Sequence, residues 1–399
     1  MTEKDRKNRK DREALSPATK AARAGIAQDP VFGAVMPPLY QSTNYEFRQY
    51  GVVPRYDYAR GGNPTNTLVA EAIAAMEGAD VAGGAGAIMT ASGMAALDLV
   101  FNVLDKDGLL LAPHDCYGGT YRLIRAKRDK GHYKADFIDQ TSKSALDAAF
   151  AKKPKLVLVE TPSNPLMRLT DIADIVARAK ACGALVVVDN TFMSPILQSP
   201  IALGADFVVH STTKYMNGHS DVVGGCVVST TAELQEHMRW WCNCIGYNAA
   251  AHESHMLLRG VRTLGVRIMH QQKSAQKIAA FLQGHDAVSH VYYPGLETHP
   301  DYALMQRQQK GPGAMLSFEL AGGEQAVEAF VKALDIFTLA ESLGGFESLV
   351  CHPATMTHRA MGPEALAEAG VSRGLLRISA GLEDVDDLLQ ALGAALDAV

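Results

Sequence analysis

Tryptophan and cysteine are scarce in this chain, with two and six in 399 residues. The cysteines, at positions 116, 182, 226, 242, 244 and 351, form no CxxC pair and no regular framework. That excludes a disulfide-stapled secreted scaffold, and reduced thiols in a cytoplasm are expected. The lone CxC of Cys242 and Cys244 lacks a second ligand pair at matching spacing, so no metal site is expected. No apolar run approaches the ~18 residues needed to span a bilayer, so no membrane partner is expected. The formal net charge is only −5, and no nucleic-acid partner is expected either. The opening stretch MTEKDRKNRKDREALSPATK is charged and has no apolar h-region. It is expected to be a solvated tail over roughly the first 15 residues rather than a signal peptide.

What is present is a chain too long for one hydrophobic core. Residues 38–67, rich in Pro, Gly, Asn and Tyr, are expected to form an extended arm with turns. A helix should begin near Thr65, with Leu68, Val69, Ile73 and Met76 close to helical spacing. Short apolar runs then alternate with amphipathic stretches. The runs are Ala87–Thr90, Leu109–Ala112, Leu156–Glu160, Leu185–Asp189, Phe207–His210 and Gly225–Ser229. Between two of them, Asp171–Cys182 has helical character and Gly183 stands as its stop. This alternation predicts an α/β fold with a mostly parallel sheet covered on both faces. Gly260–Phe281 should be a long linking helix. Beyond it, Ala314–Leu320, Phe337–Ala340 and Leu375–Ser379 are expected as strands, and Gly323–Leu334 and Asp384–Val399 as helices, in a smaller α+β domain. The expected division is residues 1–69 as tail and arm, 70–262 as the large α/β domain and 263–399 as the C-terminal domain.

Ligands of parallel α/β sheets gather at the carboxyl ends of the strands. Glu160, Asp189 and the string Ser211-Thr212-Thr213-Lys214 all fall at such ends. An aldehyde cofactor needs a lysine to hold it and a carboxylate at its pyridine nitrogen, a pairing that Lys214 and Asp189 fit. Hydroxyls one and three residues before Lys214 suit a phosphate. So does the helix start at Ser92-Gly93-Met94, where free N–H groups and the helix dipole attract a dianion. The glycines of Gly83-Gly84-Ala85-Gly86 precede a strand instead of following it, which discounts a dinucleotide fingerprint. Tyr117 can stack on a cofactor ring. Arg377 stands inside an expected strand, where a guanidinium needs an anion; a substrate carboxylate and an internal salt bridge are both open. For Arg122, a distal substrate carboxylate and a solvated surface position are both open.

The strings YDYARGGNPT, ASGMAA, CYGGTYRL, ETPSNPL, VVVDNTF, HSTTKYMNGHSDVVGG, AESLGGFESL, HPATMTH and LLRISAGLE together resemble the Cys/Met-metabolism family of pyridoxal-phosphate (PLP) enzymes, of fold type I. The resemblance runs from about Pro37 to the C-terminus. It implies a mostly parallel seven-stranded sheet in the large domain, a smaller α+β C-terminal domain and an extended N-terminal arm. It implies PLP as cofactor, with Lys214 as Schiff-base lysine and proton carrier, Asp189 at the pyridine nitrogen and Tyr117 on the ring. Ser92, Gly93, Met94, Ser211 and Thr213 would bind the phosphate, and Asn164 the phenolic oxygen. Tyr58 and Arg60 would reach the phosphate of a neighbouring subunit. The active unit is then a dimer, and the assembly a homotetramer built as a dimer of dimers.

For the substrate, the resemblance places Arg377 with Ser342 at the α-carboxylate, and Asp57, Arg122, Asn243 and Thr355 around the rest of the amino acid. Glu341 resembles the γ-acting members. The PHDCYGGTYRL string and the segment Trp240, Trp241, Asn243, Ile245, Gly246 resemble the branch that joins an acylated homoserine to cysteine. The implied reaction is therefore γ-replacement on O-succinyl- or O-acetyl-homoserine. γ-Elimination from cystathionine and sulfide addition are the alternatives, with β-elimination and methionine cleavage behind them. Cys244 and the following YNAAAHESH depart from the expected pattern and leave the acyl group open.

Overall fold

A computed structural model describes residues 15–29, 31–79, 86–359 and 361–399. Residues 1–14 of the expected tail, and Gly83, Gly84 and Ala85, lie outside the described residues. Twelve strands are found there. They are β1 (Gly86–Thr90), β2 (Leu109–Pro113), β3 (Lys134–Ile138), β4 (Leu156–Glu160), β5 (Leu185–Asp189), β6 (Phe207–His210) and β7 (Gly225–Ser229), followed by β8 (Val288–Tyr292), β9 (Met315–Leu320), β10 (Thr338–Leu339), β11 (Leu349–Cys351) and β12 (Leu375–Ser379). The first seven make one sheet in the order β1-β7-β6-β5-β4-β2-β3.

The chain forms two compact units. One joins residues 1–102 with 199–266 and carries β1, β7 and β6, with β7 antiparallel to both neighbours. Its long helix Pro64–Glu77 starts at Asn63, whose side chain caps the Asn66 N–H at 2.9 Å, followed by Pro64 with its ready-made backbone angle. The other unit joins residues 103–198 with 267–399. It carries β5, β4, β2 and β3, all parallel. Every residue of β4 is buried, which is why LVLVE shows a continuous apolar run without alternation. The helix Ile172–Cys182 opens on Asp171, which accepts from the N–H groups of Ala173 and Asp174. It closes on left-handed Gly183 (φ 73°), as the sequence predicts.

The second unit also holds a five-stranded sheet, β10-β11-β12-β9-β8, antiparallel except for β10 against β11. The expected strands at β9, β10 and β12 and the helices Gly323–Ala333 and Val385–Leu396 are all present. The expected linking helix is longer than its apolar pattern, running Ala251–Gln283.

Candidate active site

In the first unit the phosphate-type residues meet at a tight crossing. Ser92 is extended and caps the helix Gly93–Phe101, accepting from the Ala95 N–H at 3.1 Å. A Cβ at Gly93 would stand 2.7 Å from the Cβ of Ser211, and one at Gly225 would strike the Ser92 carbonyl. A Cβ at Gly224 would stand 2.6 Å from Thr212 Oγ1. Three glycines thus let the turn after β1 and the turn after β6 touch. The helix N-terminus there leaves N–H groups for an anion. The Thr213 hydroxyl donates to the Gly224 carbonyl (3.2 Å) and accepts from the Gly224 N–H (3.0 Å). That holds the residue before Lys214. The turn after Lys214 is closed by Gly218 N–H to the Lys214 carbonyl at 2.8 Å, with Gly218 at φ 68°. Gly260 of the long helix packs on the same turn, where a Cβ would collide with the Asn217 carbonyl. Lys214 is half-buried.

A second group in this unit is the arm. Arg60 donates to both the carbonyl and the Oδ1 of Asn243, the latter at 3.0 Å. Its guanidinium lies 5.7 Å from the Tyr58 ring centre. Gly61 sits beside Tyr58, Asp57 and Asn243. Asp57, Tyr58, Arg60 and Asn243 are therefore together, and all are exposed. Cys242 and Cys244 share the helix Ala232–Ile245, one buried and one exposed. Residues two apart on a helix do not face each other, which separates the CxC pair.

The second unit gathers the residues around Tyr117. Tyr117 precedes the helix Gly118–Asp129, and its N–H donates to Glu160 Oε2 at 3.0 Å. Tyr117 is 40% exposed. Burial raises the phenol pKa first. The charge of Glu341 raises it further, against the opposing pull of Arg122 and Arg377. Glu341, Arg122 and Arg377 thus act on one hydroxyl. Glu160 pairs in register with Asp189 across β4 and β5. Burial, then the Asp189 charge, holds the Glu160 carboxyl well above the usual carboxylate range. Asp189 Oδ1 accepts from the Thr191 N–H at 3.0 Å.

Arg377 is 2% exposed on β12. Nη1 donates to Asn164 Oδ1 (2.8 Å) and Nη2 to the Ser342 carbonyl (2.9 Å). Among the described residues it has no carboxylate partner, and its Nε has no acceptor. The internal salt bridge that the sequence left open is absent among them. Ser342 holds a left-handed backbone (φ 88°), uncommon outside glycine and a mark of functional sites. A buried cation with neutral partners on two arms suits an incoming carboxylate.

Two residues escape a sequence reading. Glu160 is named there only as a strand end, yet it orients Tyr117. His358, fully buried, donates from Nε2 to the Asn164 carbonyl (2.9 Å) and accepts at Nδ1 from the Thr357 hydroxyl (2.9 Å). Burial, aided by the Arg377 charge, lowers its pKa to about 4, so the ring is neutral. The repeated His in HPATMTH was the available signal. The segment also brings the Thr357 carbonyl against Gly118, where a Cβ would stand 2.7 Å away. Thr355 is exposed and its hydroxyl bonds His352 Nδ1 at 2.8 Å.

Residues 18–397 match the family model for Cys/Met metabolism PLP-dependent enzymes. The chain is 51% identical over 376 residues to the cystathionine gamma-synthase of Escherichia coli K12, covering 94% of this chain and 96% of that protein. The crystal structure of a Xanthomonas oryzae cystathionine gamma synthase with aminoacrylate and cysteine superposes with a TM-score of 0.94 at 53% identity. That match covers 96% of this chain and 98% of that one. A cystathionine gamma-lyase of Bacillus subtilis is 41% identical, covering 95% of this chain and 98% of that protein.

Proposed function

The chain belongs to the Cys/Met metabolism PLP-dependent enzymes, and on that premise we propose that it is a cystathionine γ-synthase. It replaces the acyl group of an O-acyl-L-homoserine with the sulfur of L-cysteine. The observation that carries this reading is buried Arg377, fixed on the neutral oxygens of Asn164 and Ser342, with Arg122 and Glu341 also acting electrostatically on the Tyr117 phenol. Arg377 and Arg122 supply cations for two carboxylates, and Tyr117 a hydroxyl on which both charges act.

PLP, when bound, supplies an electron-withdrawing ring that stabilises negative charge at the substrate carbons next to the amine. The anion-ready crossing at Gly93 and Ser211 fits its phosphate, with Ser92, Met94 and Thr213 beside it. Lys214 would hold its aldehyde. Asp189 would keep a proton on its pyridine nitrogen. Asn164 would meet the phenolic oxygen.

On substrate, Arg377 binds the α-carboxylate, held in place by Asn164 and Ser342. Arg122 receives the distal carboxylate of a succinyl group. Lys214 takes the proton from Cα and later from Cβ, the second removal being what γ-chemistry requires. The Cγ–O bond breaks and the acyl carboxylate leaves. Tyr117 holds the incoming thiol, whose proton goes to solvent, and once the Sγ–Cγ bond has formed Lys214 returns protons to Cβ and then to Cα. Asp57, Asn243, Glu341 and Thr355 shape the remaining space.

The test offers O-succinyl-L-homoserine with cysteine, and cystathionine alone. Cystathionine formed in the first reaction supports the synthase. Rapid release of cysteine and 2-oxobutanoate from the second would assign the chain to γ-elimination, the activity named for the Bacillus relative. The exposed arm, with Tyr58 and Arg60, supports a site completed by a second copy; a homotetramer built from two such dimers is what the family resemblance implies. The six free thiols support a cytoplasmic setting. No helix among the described residues is long and apolar enough to cross a membrane.

A further inference from the structure

A groove of about 700 Å³ lies in the second unit at the amino ends of β2, β3 and β4. Tyr117 and Asn164 follow the carboxyl ends of β2 and β4. The groove is therefore one strand length away from them, roughly 17 Å for five residues. Six cations line it: Lys106, Arg128, Lys134, Lys152, Lys153 and Lys155. Only Asp107 and Asp136 oppose them in the lining.

The existing pairs do not use up the charge. Lys134 bonds Asp107 at 3.3 Å and Lys152 bonds Asp136 at 2.7 Å. Arg128 is held by Asp129 at 3.0 Å. Among the described residues Lys106, Lys153 and Lys155 have no carboxylate partner. Lys153 also holds a left-handed backbone (φ 53°), in a short Lys-Lys-Pro-Lys turn that leads into β4. A chain with net charge −5 thus concentrates uncompensated positive charge in one concave place. Its floor includes buried Tyr133 and Ala135. The volume is that of a small-molecule site.

We propose that this groove binds a linear oligophosphate, as the free chain or as the tail of a nucleoside triphosphate. Orthophosphate offers too few charges to engage three free lysines at once, whereas a chain of phosphates spans them. The proposal is independent of the assigned reaction, because none of the lining residues belongs to its machinery.

The test is calorimetric titration of the PLP-loaded enzyme with inorganic tripolyphosphate at low salt, while the visible cofactor band is followed. Saturable binding of one tripolyphosphate per chain is expected. The double variant Lys153→Gln/Lys155→Gln should lose about tenfold or more in affinity, given the strength of hydrogen bonds to charged groups. Added salt should weaken binding. Lys277→Gln, on the long helix, should change nothing, and an unchanged melting temperature checks that the double variant is folded. ATP binding as tightly as tripolyphosphate identifies the phosphate chain alone as the ligand; tighter ATP binding identifies the nucleotide. Absence of saturable binding overturns the proposal. So does binding unmoved by the double substitution, or loss of the cofactor band during titration, which would assign the anion to the PLP phosphate seat.

Discussion

A single buried guanidinium shows how much one residue can commit. Arg377 has two arms fixed on neutral oxygens and a third nitrogen without an acceptor among the described residues. Lysine at that position keeps the charge but loses the planar fork. Arg377→Lys should lower kcat/KM for the acyl-homoserine by about 100-fold, mostly through KM, with PLP affinity unchanged. Equal losses for substrate and cofactor would count against a carboxylate seat. Tyr117 offers a second check. The charge of Glu341 helps burial to keep its phenol protonated, so Glu341→Gln should move the phenol titration to lower pH. Ultraviolet difference titration reads this directly. His358 gives the third. Its folded pKa of about 4 lies below the ordinary 6.5, so the unfolded chain binds the extra proton between those values. The stability linked to this ring is complete above pH 6.5 and is lost as pH falls toward 4. The melting temperature of His358→Asn should fall less steeply than wild type in that window. Parallel curves would remove His358 as the source.

At the scale of elements, the site depends on turns more than on strands. Gly225 starts β7, yet its missing Cβ is what admits the Ser92 carbonyl. Gly225→Ala should destabilise by about 1–3 kcal/mol and weaken PLP retention, because the two turns must part. Gly86→Ala on β1 is the control, since its Cβ would meet Gln235 no closer than 3.5 Å. Thermal melting and cofactor titration of both variants decide the matter. The same contrast explains what a sequence reader sees. Strands β2, β4, β5, β6 and β7 are buried apolar runs and stand out without a structure. β3 (KADFI) and β8 (VSHVY), each at the edge of its sheet, have exposed or half-buried positions and broken runs, so no apolar pattern marks them. β11 is only three residues long and offers no period at all. Among candidate site residues, Lys214 and Asp189 were legible from their places after apolar strand runs, and Arg377 from the cost of a charge inside a strand. Glu160 and His358 were not. Each acts through a backbone group of a residue far off in sequence, a relation that spacing does not encode.

At the scale of the whole molecule, the arm is the part a single chain leaves unfinished. Phe32 is 91% exposed and Tyr50 fully so, while Val53 and Tyr58 also face solvent. Apolar and aromatic side chains gathered on one extended segment call for a covering surface. Arg60, tethered to Asn243 on the same chain, stands among them with much of its surface free. If a second copy covers the arm and receives Arg60 at its cofactor phosphate, each site needs Lys214 from one chain and Arg60 from the other. Arg60→Ala and Lys214→Ala chains, each inactive alone, should then complement when mixed. In a hybrid dimer one site collects both defects and the other collects none. With random pairing, about a quarter of all sites are intact, so activity should recover to about a quarter of wild type. A site built within one chain predicts no recovery at all, because every site then carries one of the two lesions. Turnover of the remixed, refolded chains separates these outcomes by more than any change in affinity could, and it does so without a structure of the assembly.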